Sequence, residues 1–415
     1  MLSKSLVLGA NVVTGILTAR ALGPTGRGEL TALNVGPALL AGILTLGIPS
    51  SIVYNFKRSP EDRAQLLGAA LLLCLMLGCA SALVGVWLLP YWLSEFSPDV
   101  VRAAQWFMLN APIVLLMPVC SRALEASGVF RLSNTVRVLV PTGTLALLAG
   151  ATALGWLSPI RAALCYVLGG APVLWMIVRL WRLHRPTLPS LGALRRLTGF
   201  GLRSYGIDAL HTLSRQIDQV IVVGVLAATL VGIYAVGLSA ARLLNVVQES
   251  VVIVLFPKTA SKSPTQVVAA VGLACRWTLA LTFVLGLVVF AFGPGLLRLM
   301  YGERFVEAAP LLRLLVVDVL LASAVAVLTQ SFMSLGRPGV VALLQGAGLM
   351  LAVPLMLWWV PEHGLMGAGA ALLASTTVRL LSVLICYPLV LGLRPPWPIL
   401  RPADVGALCR RLRSN

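Results

Sequence analysis

The sequence predicts an all-α integral membrane protein whose twelve transmembrane helices form two parallel six-helix lobes. Three observations carry this expectation. The 415 residues are 59% hydrophobic and only 11% charged, far outside the range of soluble domains. Apolar runs of about 20 residues, each able to cross a hydrocarbon core of ~30 Å, recur from end to end with short connections. The second half of the chain also repeats the first at an offset of 204 residues.

The runs fall at roughly 2–20, 30–54, 64–89, 101–122, 132–155, 161–181, 202–226, 231–256, 267–292, 306–333, 338–360 and 365–391. The first holds Lys4 and no small-residue cleavage pattern before Arg20, so it reads as a span rather than a removed leader. The formal net charge of +18 would suit a nucleic-acid binder, but the cations sort by side of the membrane instead. With the N-terminus inside, about 22 of the 32 Lys and Arg fall in the N-terminal segment, the even-to-odd connections and the tail, against about 6 in the opposite loops. Both termini are therefore expected on the cytoplasmic side of the cell inner membrane. The densest group is Arg179, Arg182, Arg185, Arg195, Arg196 and Arg203, and the tail adds Arg401, Arg410, Arg411 and Arg413. Topology and attraction to membrane lipids explain these without a nucleic-acid partner. Trp87, Trp92, Trp156, Trp358 and Trp359 fall near predicted outer ends and Trp181 near an inner one, as interfacial anchors do.

Chemistry on covalent bonds finds little support. The seven cysteines lie mostly inside spans with no Cys-x-x-Cys, and read as small apolar packing residues. His184, His211 and His363 are too scattered for a metal site, and no phosphate loop or nucleophile elbow is present. No catalytic residue, metal or cofactor is expected. The outward connections are too short for a catalytic domain, which weighs against a membrane polymerase or ligase.

A linker holding His184, Pro186, Thr187, Pro189 and Ser190 divides the chain. The expected organisation is a six-helix lobe over 1–183, a cytoplasmic linker over 184–201, a second lobe over 202–391 and a basic tail over 392–415. The 204-residue shift places Leu22, Thr25, Gly28, Leu39, Leu40, Ser59 and Pro60 on Leu226, Thr229, Gly232, Leu243, Leu244, Ser263 and Pro264. Six is an even number, so both lobes enter from the same side and the repeat is parallel, with a substrate site expected between them. Pro37, Pro112, Pro118, Pro141, Pro172 and Pro354 lie inside spans, where they can bend helices. Gly346, Gly348, Gly367 and Gly369 mark close helix contacts.

The candidate site residues come from polar stripes inside spans. Ser204, Asp208, His211, Arg215 and Asp218 are spaced four, three, four and three, which puts them on one helical face about 21 Å long. Ionisable groups are costly in hydrocarbon, so such a face turns toward a bundle interior or a water-filled path. Ser239, Arg242, Asn245 and Glu249 repeat the pattern in the next span, and Arg379 sits near mid-depth in the last. Arg313 and Asp318, five residues apart, diverge around their helix. Moved back by 204 residues, Asp208, His211, Arg215 and Asp218 land on Lys4, Val7, Asn11 and Thr14, which suggests a milder opposite wall. Arginine suits phosphate through forked hydrogen bonds and a charge that does not titrate. The substrate candidates are therefore Arg215, Arg242, Arg379, His211, Asn11 and Asn245, and the ion-coupling candidates Asp208, Asp218 and Glu249. Internal salt bridging, Arg215 with Asp218 or Arg242 with Glu249, is the competing account.

Several turns carry a family resemblance: Ala19-Arg20-Ala21-Leu22-Gly23-Pro24-Thr25-Gly26-Arg27-Gly28, Val231-Gly232-Ile233-Tyr234 and Tyr301-Gly302-Glu303-Arg304-Phe305. With them the chain resembles the polysaccharide biosynthesis and O-antigen-type flippases of the multidrug/oligosaccharidyl-lipid/polysaccharide (MOP) exporter superfamily. The resemblance implies a transporter with a MATE-like fold that moves a polyprenyl-diphosphate-linked glycan to the outer leaflet. A polysaccharide polymerase and export machinery are the implied partners. It transfers no substrate residue, because the matching positions are turns. The related multidrug exporters often place an acid in the first span, where this chain has none, and their cavity would carry net negative charge. The related lipid II flippases typically carry two further C-terminal helices.

Overall fold

The computed structural model describes residues 2–397, with side chains for all of these except Leu2, Ser3, Ser204, Ile207, Asp208 and His211. Cys409 and the tail arginines Arg401, Arg410, Arg411 and Arg413 lie outside the described residues. The order of helices is α1 (Leu2–Ile43), α2 (Ile48–Arg58), α3 (Arg63–Trp92), α4 (Pro98–Phe107), α5 (Ala111–Ala126), α6 (Phe130–Ala153), α7 (Pro159–Gly169) and α8 (Pro172–His184). It continues with α9 (Leu191–Val225), α10 (Ala228–Arg242), α11 (Asn245–Thr259), α12 (Pro264–Tyr301), α13 (Ala309–Leu328), α14 (Gln330–Ser334) and α15 (Pro338–Cys386). An all-helical membrane protein follows from the composition, because helices satisfy their own backbone hydrogen bonds in hydrocarbon.

Among the described residues, eight helical stretches are long and apolar enough to cross a membrane, or nine with the bent α10–α11 pair as one span. This is fewer than the twelve separate runs read from hydropathy, for two physical reasons. Two expected loops shrink to single residues: Gly23 (φ 69°, ψ −177°) interrupts α1 and Gly364 (φ 57°, ψ −131°) interrupts α15. Positive φ is open to glycine at no steric cost, so each reversal needs one residue rather than a loop. In addition, α9 carries the charged stripe and falls outside the apolar set.

Other spans break where the sequence hid a turn. The expected run 30–54 stops at Ile43, after which Leu46 (φ 45°) and Gly47 (φ 68°) turn the chain into α2. α2 buries Ile48, Ser51, Ile52, Asn55 and Phe56 and leaves Tyr54, Lys57 and Arg58 exposed. Pro112 follows a short 3-10 turn at Met108–Asn110, and Pro172 opens α8, so both sit where their missing N–H costs nothing. Pro37, Pro118, Pro141 and Pro354 remain inside helices.

By compactness the chain divides into two units, Met1–Ala235 and Val236–Asn415. In the first, residues 191–201 of the expected linker are helical and pack down: Ser51 Oγ donates to the Leu197 carbonyl at 2.8 Å, and Arg196 pairs with Asp62 at 2.7 Å. Trp92, expected as an interfacial anchor, instead donates its indole N–H to the Val220 carbonyl at 3.0 Å and packs on Gly224. Trp87, Trp156 and Trp181 are exposed, as anchors are. In the second unit, the Tyr387 hydroxyl lies 2.9 Å from that of Ser331 and donates to the Leu328 carbonyl at 3.0 Å. Gly348 meets Arg379, Gly367 the Trp359 carbonyl, and Gly369 the side chains of Leu311 and Leu314.

The tightest packing in the first unit joins the two sequence repeats. A Cβ on Gly28 would overlap the Ala228 carbonyl oxygen and lie 3.0 Å from the Gly232 nitrogen. A Cβ on Gly232 would overlap the Pro24 carbonyl oxygen and lie 3.0 Å from the Gly28 nitrogen. The hydroxyls of Thr25 and Thr229 are 2.8 Å apart. Gly28 with Gly232 and Thr25 with Thr229 are related by the 204-residue offset, and the contacts of Gly28 with Ala228 and of Gly232 with Pro24 exchange under it, so the contact is reciprocal, as two-fold contacts are. Gly28→Ala or Gly232→Ala is expected to lower the thermal midpoint of the detergent-purified protein, at a cost of about 1–3 kcal/mol for overpacking. Gly143→Ala, which meets open space, is expected to leave the midpoint unchanged or raise it slightly.

Candidate functional site

The continuous helix α9 carries the first stripe, so Ser204, Asp208, His211, Arg215 and Asp218 share one face by backbone position. The side chains of Ser204, Asp208 and His211 lie outside the described residues. Asp218 is buried and accepts a hydrogen bond from the Tyr234 hydroxyl at 3.1 Å, whereas Arg215, three residues earlier, is exposed. Asn11 is exposed, and Thr14 below it is buried.

The second stripe does not form one face. α10 ends at Arg242 and α11 begins at Asn245, with a bend of 46° between them. The bend is made by tightened bonds, Leu243 N–H to the Ala240 carbonyl and Leu244 N–H to the Ala241 carbonyl. Ser239 and Arg242 are therefore carried by one helix, and Asn245 and Glu249 by another. Arg242 is half-buried, Asn245 accepts from the Gln248 amide at 3.2 Å, and Glu249 is exposed. Arg379 packs along Gly348, and the charge acting on its guanidinium is that of Asp318. Arg313 turns the other way and lies 5.5 Å from the centre of the Phe290 ring, as the five-residue spacing implies.

A cavity of about 370 Å³ opens within the first unit, at the lower end of the range for small-molecule sites. None of the nine candidate residues lines it. Its polar wall is Arg27, Thr31, Asn34, Asn110, Tyr166 and Gln219, set among apolar side chains such as Val35 and Pro37. Arg27, Thr31 and Asn34 follow one another at four and three residues along α1, so one helical face supplies half of that wall. Asn110 comes from the 3-10 turn before α5, Tyr166 from α7, and Gln219 from α9 next to the buried Asp218.

The Gly23 reversal explains how Arg27 is held. It folds the segment after Pro24 back on the segment before it, so that Arg27 Nη1 donates to Thr18 Oγ1 at 2.8 Å. Thr18 is fully buried and its hydroxyl donates in turn to the Thr14 carbonyl at 2.7 Å. One arm of the guanidinium is thus anchored while the residue faces the cavity. Among the described residues that line the cavity, Arg27 is the charged one, and no carboxylate joins it. The arrangement can hold an anion through a charge-assisted hydrogen bond and offer amides and a phenol to hydroxyl groups. The sequence signal for this wall was the same four-and-three spacing found in the other stripes, but Arg27 lies in a segment that reads as a turn.

Comparisons with known proteins agree with this architecture. The chain is similar to an inward-facing multidrug resistance MATE family transporter of the MOP superfamily, with a TM-score of 0.76, 16% identity, and 93% of this chain and 94% of that one covered. It is similar to the lipid II flippase MurJ in an inward closed conformation, with a TM-score of 0.80, 12% identity, and 95% and 87% covered. An outward-facing MATE family transporter gives a TM-score of 0.63 at 17% identity, with 94% and 93% covered. At these identities the likeness is one of fold. No curated protein matches by sequence. Residues 1–261 match the family described as polysaccharide biosynthesis protein, and with more than half of its length matched the chain belongs to that family.

Proposed function

We propose that the protein is a flippase that moves a polyprenyl-diphosphate-linked oligosaccharide from the cytoplasmic to the outer leaflet of the cell inner membrane by alternating access. The observation that carries this reading is the cavity whose single described charge is Arg27. A cavity for organic cations needs acids, and this one offers a guanidinium with amide and phenol groups around it, which suits a diphosphate bearing sugars. Membership of a polysaccharide biosynthesis family supports a glycan as cargo. The twelve-span plan belongs to the proposal. It counts the helices on either side of Gly23 and of Gly364 separately, takes α10 with α11 as one bent span, and adds α9. The lobes over 1–183 and 202–391, with both termini cytoplasmic, follow from the repeat and the charge distribution.

In this reading the lipid tail stays in the bilayer and only the head crosses. Arg27 binds the diphosphate, with Arg215, Arg242 and Arg379 as further cations along the route and His211, Asn11 and Asn245 as hydrogen-bonding groups. Asp208, Asp218 and Glu249 take up the coupling ion. A polysaccharide polymerase and export machinery receive the product.

Deletion in the native host is expected to remove surface polymer and accumulate the lipid-linked precursor on the cytoplasmic side; unchanged glycans with altered drug tolerance would indicate a multidrug exporter instead. In complementation, Arg27→Ala is expected to cut export by roughly 10- to 150-fold, the loss of a charged hydrogen bond worth about 1.5–3 kcal/mol, at normal membrane levels of protein. Arg27→Lys, which keeps charge but not the fork, falls between. Arg215→Ala and Arg242→Ala are also expected to abolish export while expression persists, and wild-type export from both removes them from the phosphate route.

A further inference from the structure

A second concavity of about 520 Å³ lies beside α2, apart from the Arg27 cavity, and is lined by Ser50, Val53, Tyr54, Lys57 and Arg58. It is a built surface. The Tyr54 ring stacks flat on Phe200 of α9, with centroids 4.2 Å apart and planes 11° from parallel. The Arg58 guanidinium sits 5.7 Å from the centre of the same ring, and its Nη1 donates to the Tyr54 hydroxyl oxygen. The Ser51 to Leu197 hydrogen bond ties α2 to α9 directly beneath. Arg58 is therefore held in one orientation although it is exposed, which removes part of the entropy cost of binding.

The charges around it are unbalanced. No carboxylate lines the concavity, and Asp62 is already taken by Arg196 at 2.7 Å. Among the described residues, Lys57 and Arg58 form no ion pair. Arg203, three residues beyond Phe200, shares that ring's side of α9 and is exposed. Two adjacent cations at the rim of a wall made by Val53 and Tyr54 match a phosphate joined to an apolar stem. Basic pockets between membrane helices take anionic lipid headgroups on the same physical grounds.

We propose that this concavity binds one anionic glycerophospholipid, its phosphate on Lys57 and Arg58 and its stem along Val53 and Tyr54. The proposal does not depend on the transported cargo. Native mass spectrometry of the full chain in detergent, titrated with phosphatidylglycerol, tests it. The wild type is expected to retain one phosphatidylglycerol about tenfold more tightly than phosphatidylcholine with the same acyl chains, one charge-assisted contact's worth of affinity. The double variant Lys57→Ala/Arg58→Ala loses that preference, and Arg58→Lys retains part of it. Arg131→Ala, which removes an exposed cation elsewhere, leaves it intact. Equal affinity for the two lipids, an unchanged double variant, or the same loss in Arg131→Ala overturns the proposal. Displacement of phosphatidylglycerol by millimolar inorganic phosphate also overturns it, because the site then takes the free ion rather than the lipid.

Discussion

The constraint on which the first unit depends is the backbone contact between α1 and α10 at Gly28 and Gly232. Where hydrocarbon surrounds a protein, helices are not driven together by the hydrophobic effect, so small residues that let backbones approach supply much of the association. Here neither position has room for a Cβ, and the contact is reciprocal between residues related by the internal repeat. The Thr25 and Thr229 hydroxyls pair in the same patch. Once this register is set, the rest of the wall follows: Arg27, one residue before Gly28, is turned about 100° away from the contact and lines the cavity.

The same two turns of α10 also reach α9. Tyr234, two residues after Gly232, is fully buried and reaches the Asp218 carboxylate on α9. The next residue of α9, Gln219, lines the same cavity as Arg27, Thr31 and Asn34. One short stretch of α10 thus clasps α1 through glycine and α9 through tyrosine. A buried carboxylate needs hydrogen bonds to stay in place, and the phenol supplies one.

Much of this fold is legible in the sequence because a bilayer imposes few solutions. Hydropathy marks the apolar helices, and the residues matched by the 204-residue offset include Thr25, Gly28, Thr229 and Gly232, four of those that meet between α1 and α10. Pro112 and Pro172, which hydropathy places inside spans, stand at helix starts instead. What the sequence hides are reversals without a loop. Gly23 turns the chain in one residue, so the stretch around Arg27 has the look of a turn when it is the start of a helix. A polar residue at the end of an apolar run has the same composition in a loop as in a cavity wall. Asn110, Tyr166 and Gln219 stand alone in three separate elements, and no spacing along the chain relates them. The opposite error concerns Ser239, Arg242, Asn245 and Glu249, whose regular spacing means one face only on the assumption of a straight helix.

A permanent cation in the cavity places a condition on any cycle proposed for it. Arginine does not lose its proton at accessible pH, so an anion bound to Arg27 cannot be released by titrating the arginine. Release requires either that the anion's other contacts move away or that an acid competes for the cation. Arg27 is anchored through Thr18 on its own hairpin, so it moves with α1. The partner face on α9 is carried by a helix in which Asp218 adjoins Gln219. In the flippase proposed here, uptake of a proton or sodium ion at Asp218 would act on the Tyr234 bond, and so on the clasp that holds α9 to α10, while leaving the guanidinium charged. The coupling ion would then work by altering the geometry around a fixed positive charge.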